Sequence, residues 1–189
     1  MPQYDTTDFR KNLKIEMEGE PYIILEAQHV KPGKGVAIVK TRMKSLLSGR
    51  VLERNFRSGD KVDVPDLQQR DMTFLYQEGD GYVFMDTSNY EQISLTRDQA
   101  EEALPYLIDN LQATILFYRG KAISIDLPTF VELEIIQTDP GVKGDTAQGG
   151  SKQATLQTGH VILVPLYIKE NEVVRVDTRT GEFVERVNK

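Results

Sequence analysis

The sequence predicts a mostly β protein built from three small barrels, and three observations carry that prediction. Short alternating or β-branched runs recur along nearly the whole chain, turn residues separate them, and only one convincing helix start interrupts them. This pattern fits small closed barrels and disfavours a doubly wound α/β sheet, in which strands alternate with substantial helices. Pro65 and Pro128 each follow a strand-like run and serve as borders, giving blocks at 1–64, 65–127 and 128–189. Roughly 60 residues suffice for a small barrel with its own strand set.

Taken in order, strands are expected at 22–30 and 36–43, then at 72–76, 82–85, 113–118 and 122–127. Val131-Glu132-Leu133-Glu134-Ile135 is a plain half-buried alternation, followed by strands at 161–164, 173–176 and 183–187. Glu78-Gly79-Asp80-Gly81, Arg119-Gly120-Lys121 and Arg179-Thr180-Gly181 sit between strand pairs as hairpin connections do, so antiparallel neighbours follow. In Thr96-Arg97-Asp98-Gln99 a capping hydroxyl precedes Gln by three residues and leads into Ala100-Glu101-Glu102-Ala103-Leu104. Pro105 limits this helix to a few turns.

The 189 residues carry 23 Lys+Arg against 29 Asp+Glu, 39% hydrophobic and 28% charged, which describes a folded chain with a core rather than a disordered polyelectrolyte. The absence of Cys excludes disulfides, thiolate metal sites and thiol chemistry, and makes the cytoplasm the expected compartment. No stretch approaches the roughly 20 apolar residues of a membrane span, and Met1-Pro2-Gln3-Tyr4-Asp5 does not read as a secretory leader, so no membrane partner is expected. His29 and His160 lie far apart, both beside strands, and read as structural. No metal or cofactor is expected. Gly33-Lys34-Gly35 lacks the third glycine of a dinucleotide fingerprint, and neither a Walker A loop nor GxSxG is present, so the chain does not read as an enzyme.

Charge is unevenly spread: the three blocks carry +3, −7 and −2, and residues 29–61 hold nine cations against Glu53 and Asp60. A basic face on an acidic protein fits a local phosphate-contacting surface, and a merely solvated surface fits the count equally well. Inside this region lies Val30-Lys31-Pro32-Gly33-Lys34-Gly35-Val36, where Pro32-Gly33 suits a type II turn with the glycine at positive φ. Hairpin arms of about six residues, at ~3.3 Å each, would carry the Lys34 amine ~20 Å beyond the barrel. An exposed, glycine-flanked lysine stays charged and donates hydrogen bonds. A Schiff-base role would need burial to lower its pKa.

These residues together resemble the bacterial translation elongation factor P family over essentially the whole chain. Val30-Lys31-Pro32-Gly33-Lys34-Gly35 resembles the family's modified-lysine loop, and Phe56-Arg57-Ser58-Gly59-Asp60-Lys61-Val62 the end of its first domain. Met85-Asp86 with Tyr90-Glu91-Gln92, Thr138-Asp139-Pro140-Gly141 with Lys143-Gly144-Asp145-Thr146-Ala147, and Val176-Asp177-Thr178-Arg179-Thr180-Gly181-Glu182 resemble later signatures in the same order. The resemblance implies a KOW-like (SH3-like) first barrel followed by two OB-fold barrels, in an elongated L-shaped arrangement that mimics tRNA. It implies a monomer that binds the 70S ribosome between the P and E sites, contacts rRNA and P-site peptidyl-tRNA, and relieves stalling at consecutive prolines.

On that resemblance Lys34 is the tip residue modified by a dedicated lysine-modifying enzyme, and Lys31, Pro32, Gly33 and Gly35 shape its loop. Lys40, Arg42, Lys44, Arg54 and Arg57 meet RNA phosphates, while Gly144, Asp145, Thr146 and Arg186 contact the ribosome. Phe183 stands where a tyrosine is common, Gln153 where a proline is usual, and Asn171-Glu172 where Gly-Asp is usual. The alternative reading is an OB-fold protein that binds single-stranded nucleic acid without dedication to the ribosome. Its weakness is the −7 and −2 charge of the two blocks that would form the groove.

Overall fold

The computed structural model describes residues 1–141 and 149–187. Strands β1 (Gln3–Asp5), β2 (Lys14–Met17), β3 (Glu20–Val30), β4 (Ile38–Ser45), β5 (Val51–Arg57) and β6 (Lys61–Asp63) form a sheet ordered β1-β6-β2-β3-β4-β5. A second sheet, ordered β11-β10-β7-β8-β9, contains β7 (Leu67–Glu78), β8 (Gly81–Asp86), β9 (Gln92–Thr96), β10 (Gln112–Tyr118) and β11 (Lys121–Asp126). The third, ordered β14-β13-β12-β15-β16, contains β12 (Phe130–Thr138), β13 (Ser151–Leu156), β14 (Val161–Pro165), β15 (Val173–Asp177) and β16 (Glu182–Arg186). The protein is mostly β, and the latter two sheets are barrel-like.

Residues group into two compact units, Met1–Gln69 with Leu116–Ser124, and Arg70–Ile115 with Ile125–Lys189. In the first, Phe9, Ile15, Ile24, Val39, Met43 and Phe56 belong to one core, and the rings of Phe9 and Phe56 meet edge to face at 5.0 Å. Tyr118 Oη donates to the Gly19 carbonyl at 3.0 Å, and Arg119 pairs with Glu16 at 2.5 Å, which fastens Leu116–Ser124 to the β2–β3 turn. In the second unit, Val131, Leu133 and Ile135 of β12 lie at 4%, 0% and 0% exposure, the buried half of the alternation that the sequence displays. They pack with Leu156, Ile162, Val164, Ile168, Val174 and Val176.

Thr96 caps α1 (Arg97–Ala100) as expected: its side chain accepts from the Gln99 amide, and the Gln99 side chain accepts from the Thr96 amide. The helix is shorter than the few turns expected, ending after one. Pro105 then sits in a 3-10 turn, Leu104–Tyr106. Tyr106, at the end of that turn, belongs to the buried cluster of the second unit. Among the described residues no helix is long and apolar enough to cross a membrane.

Candidate functional site

Alternation along β4 sets three cations on one side of the first sheet. Val39, Thr41, Met43 and Ser45 are buried, while Lys40, Arg42 and Lys44 between them are exposed. Cross-strand pairing places Lys40 between Gln28 and Asn55, Arg42 between Glu26 and Glu53, and Lys44 between Ile23 and Val51. Arg57, opposite Ile38, falls on the same side by the two-residue period of β5. No ion pair ties up the side chains of Lys40, Arg42, Lys44 or Arg57 among the described residues.

Arg54 departs from this group. Its even position in β5, opposite Thr41, turns it to the other side, where it contacts Met17 Sδ at 2.9 Å and pairs with Glu18 at 3.1 Å. Its guanidinium lies 5.6 Å from the Phe56 ring centroid. Four of the five cations singled out in 29–61 therefore share a face, and the fifth braces the opposite side of the sheet.

Beyond the last ladder pair, Val30 with Ile38, residues 31–37 form the tip of the β3–β4 hairpin. Lys31, Pro32, Gly33, Lys34 and Gly35 are all exposed. Lys34 makes no hydrogen bond, ion pair or ring contact among the described residues. The expected type II turn is absent: positive φ falls on Gly35 at +125°, not on Gly33. A side chain on Gly35 would be strained in that conformation and would meet Pro32 Cγ at 3.7 Å.

β5 pairs with β4 as far as Arg57 opposite Ile38, and His29 Nε2 lies 3.2 Å from the Phe9 carbonyl, so both arms remain embedded in the sheet. Four residue steps from Val30 place the Lys34 backbone at most ~13 Å beyond the ladder. His29 has the structural role its position suggested. His160 likewise packs its ring edge-on against Tyr106, at 6.0 Å.

In the second unit, Arg186 pairs with Glu172 at 3.2 Å and lies 5.9 Å from the Tyr167 ring centroid. Gly144, Asp145 and Thr146 lie outside the described residues. Among the described residues no cluster of three or more His, Asp or Glu side chains is placed to hold a metal ion. Outside 29–61, Arg10, Lys11 and Lys14, not among the expected site residues, line a common cavity. Three cations within five residues were the available signal.

Family models match in three consecutive stretches: the elongation factor P KOW-like domain over residues 5–62, its OB domain over 67–125 and its C-terminal domain over 131–186. Elongation factor P of Moorella thermoacetica is 52% identical over 181 residues, covering 96% of this chain and 98% of that protein. The Bdellovibrio bacteriovorus elongation factor P is 49% identical over 185 residues, covering 98% of each. Among solved structures, eukaryotic translation initiation factor 5A from Methanococcus jannaschii superposes with a TM-score of 0.55 at 22% identity, over 66% of this chain and 93% of that one. This likeness concerns the fold alone. The relatives are named as translation factors rather than as an enzyme family. The chain belongs to the elongation factor P family, with a KOW-like domain followed by two OB-like domains.

Proposed function

We propose that this family member is a cytoplasmic translation elongation factor that binds the 70S ribosome between the P and E sites and promotes peptide-bond formation at consecutive prolines. It acts as a monomer of three domains, 1–64, 65–127 and 128–189, a division supported by the three matched stretches. The observation that carries the reading is Lys34: a lysine at the end of a sheet-anchored hairpin, exposed and without a partner among the described residues. Such an amine is available both to a lysine-modifying enzyme and to the CCA end of P-site peptidyl-tRNA.

The chemistry belongs to the ribosome, and this chain supplies orientation. A prolyl substrate reacts slowly when its geometry is poor, and donors that fix the tRNA end lower the barrier by holding reacting groups in line. Pro32 and Gly35 shape the loop, Lys31 adds charge beside it, and Lys40, Arg42, Lys44 and Arg57 meet rRNA or tRNA phosphates from one face. Arg54 serves that face by bracing β5 from behind. Gly144, Asp145, Thr146 and Arg186 contact the ribosome from the C-terminal domain.

The test is Lys34→Ala in translation of a Pro-Pro-Pro reporter by ribosomes lacking the endogenous factor. Stimulation should be lost while thermal stability stays at the parental value, because the exposed side chain makes no hydrogen bond or ion pair among the described residues. Undiminished synthesis by a folded variant would overturn the proposal. Equal, salt-sensitive affinity for free oligonucleotides and for ribosomes would favour the single-strand-binding alternative.

A further inference from the structure

Away from the β3–β4 tip, the first unit holds a concave basic feature. A cavity of about 410 Å³ is lined by Tyr4, Arg10, Lys11, Asn12, Lys14 and Pro65, with their neighbours. A tight turn at 10–13 builds its wall: the Leu13 amide donates to the Arg10 carbonyl at 3.2 Å, and the Asn12 amide to the Ile24 carbonyl at 2.7 Å, tying the turn to β3. Asn12 adopts φ +69°, a left-handed conformation that asparagine reaches more readily than most residues. Phe9 and Leu13 on either side are buried, so the backbone of the turn is pinned at both ends.

No carboxylate lines this cavity. Among the described residues none of Arg10, Lys11 and Lys14 forms an ion pair. Lys14 is the most informative of the three, since it is half-buried rather than fully solvated. A cation partly withdrawn from water without a counter-charge is unfavourable, and so is the mutual repulsion of three of them. A bound anion offsets both. The guanidinium of Arg10 adds a planar fork suited to phosphate oxygens.

Register decides which source of phosphate fits. Ile23 of β3 pairs with Lys14 on one side and with Lys44 on the other. The two lysines therefore stand two strand spacings apart, about 10 Å, and continue one row of positive charge from the cavity to the β4 face. A single small anion cannot engage both ends of that row, whereas a nucleic-acid backbone can.

We propose that the 10–14 pocket is a phosphate site whose occupant is a backbone phosphodiester of RNA, contacted together with the β4 face. The identity of the RNA as ribosomal or transfer RNA rests on the function proposed above. The test is ribosome binding by the full chain at several salt concentrations, comparing the parent with Lys14→Gln, Arg10→Gln with Lys14→Gln, and Lys14→Arg. The single neutralisation should reduce the slope of log affinity against log salt by about one and the double by about two, and Lys14→Arg should restore the parental slope.

A parental slope in folded Gln variants would overturn the site. Absence of ribosome binding by the parent chain would instead strike the proposed function. Amide shifts at 10–14 in NMR titrations separate the sources. Shifts with duplex RNA support the proposal, and saturable shifts with inorganic phosphate but none with RNA overturn the RNA assignment.

Discussion

Arg42 of β4 stands opposite Glu26 of β3 and Glu53 of β5, while Arg175 of β15 stands opposite Glu132 of β12 and Glu185 of β16. Arg175 bridges both of its glutamates, at 3.0 and 2.5 Å, and these contacts, the Glu132 hydrogen bond foremost, hold its pKa above the usual arginine value. Arg42 pairs with neither of its own. Its neighbours two positions away on the same face are Lys40 and Lys44, whereas those of Arg175 are Val173 and Asp177. A shared register brings charges near one another, but a surplus of one sign decides whether they are consumed. Arg179 repeats the paired pattern in the second unit, with Asp177. Cations committed to their own sheet stabilise it, and those left over are available to a partner.

The sharpest way to break this contrast is to reverse the unpaired charges. Lys40→Glu with Arg57→Glu should reduce ribosome affinity tenfold or more and flatten its salt dependence, with the thermal midpoint unchanged. A binding isotherm matching the parent would show that the exposed face is only solvated.

Within the face, Lys40 lies between neutral Gln28 and Asn55, while Arg42 is flanked by two carboxylates that repel phosphate. Lys40→Gln should therefore weaken binding more than Arg42→Gln, and the reverse order in the same titration would break the ranking. In the second unit, Arg175→Gln should lower the melting temperature slightly and leave affinity alone, since exposed pairs contribute little each. A loss of binding without a loss of stability would erase the distinction between the two arginines.

The smallest effect concerns acid. Hydrogen bonds from the Arg179 side chain and its amide lower the pKa of Asp177, so the carboxylate stabilises the fold above the unfolded value near 3.8. That contribution fades as pH falls through the lower folded value. Asp177→Asn should thus be less stable than the parent at neutral pH, with the difference closing below pH ~4. A constant difference in denaturant midpoint across that range would count against the pairing.

Strands with strong alternation were legible in the sequence: β3, β8, β10, β12 and β15 stand where it placed them. β2, β5, β9 and β13 were not. Val51-Leu52-Glu53-Arg54-Asn55-Phe56-Arg57 and Ser151-Lys152-Gln153-Ala154-Thr155-Leu156 carry too many polar residues to announce a strand, and they form one because neighbouring strands supply the ladder. At the tip, the exposure of Lys34 was legible from its glycine flanks. The turn geometry was not, because the positive φ falls on Gly35 rather than on Gly33.

Local chemistry by itself determined the β character, the Thr96 cap, the inward and outward sides of β4, and an exposed lysine between glycines, since each depends on residues a few positions apart. Tertiary structure decided which charges meet across long stretches of sequence. Arg54 meets Glu18 across 36 positions and Arg175 meets Glu132 across 43, and Lys14 joins Lys44 only because both flank Ile23. Ion pairing falls off over a few ångströms, and no count along the chain measures that distance.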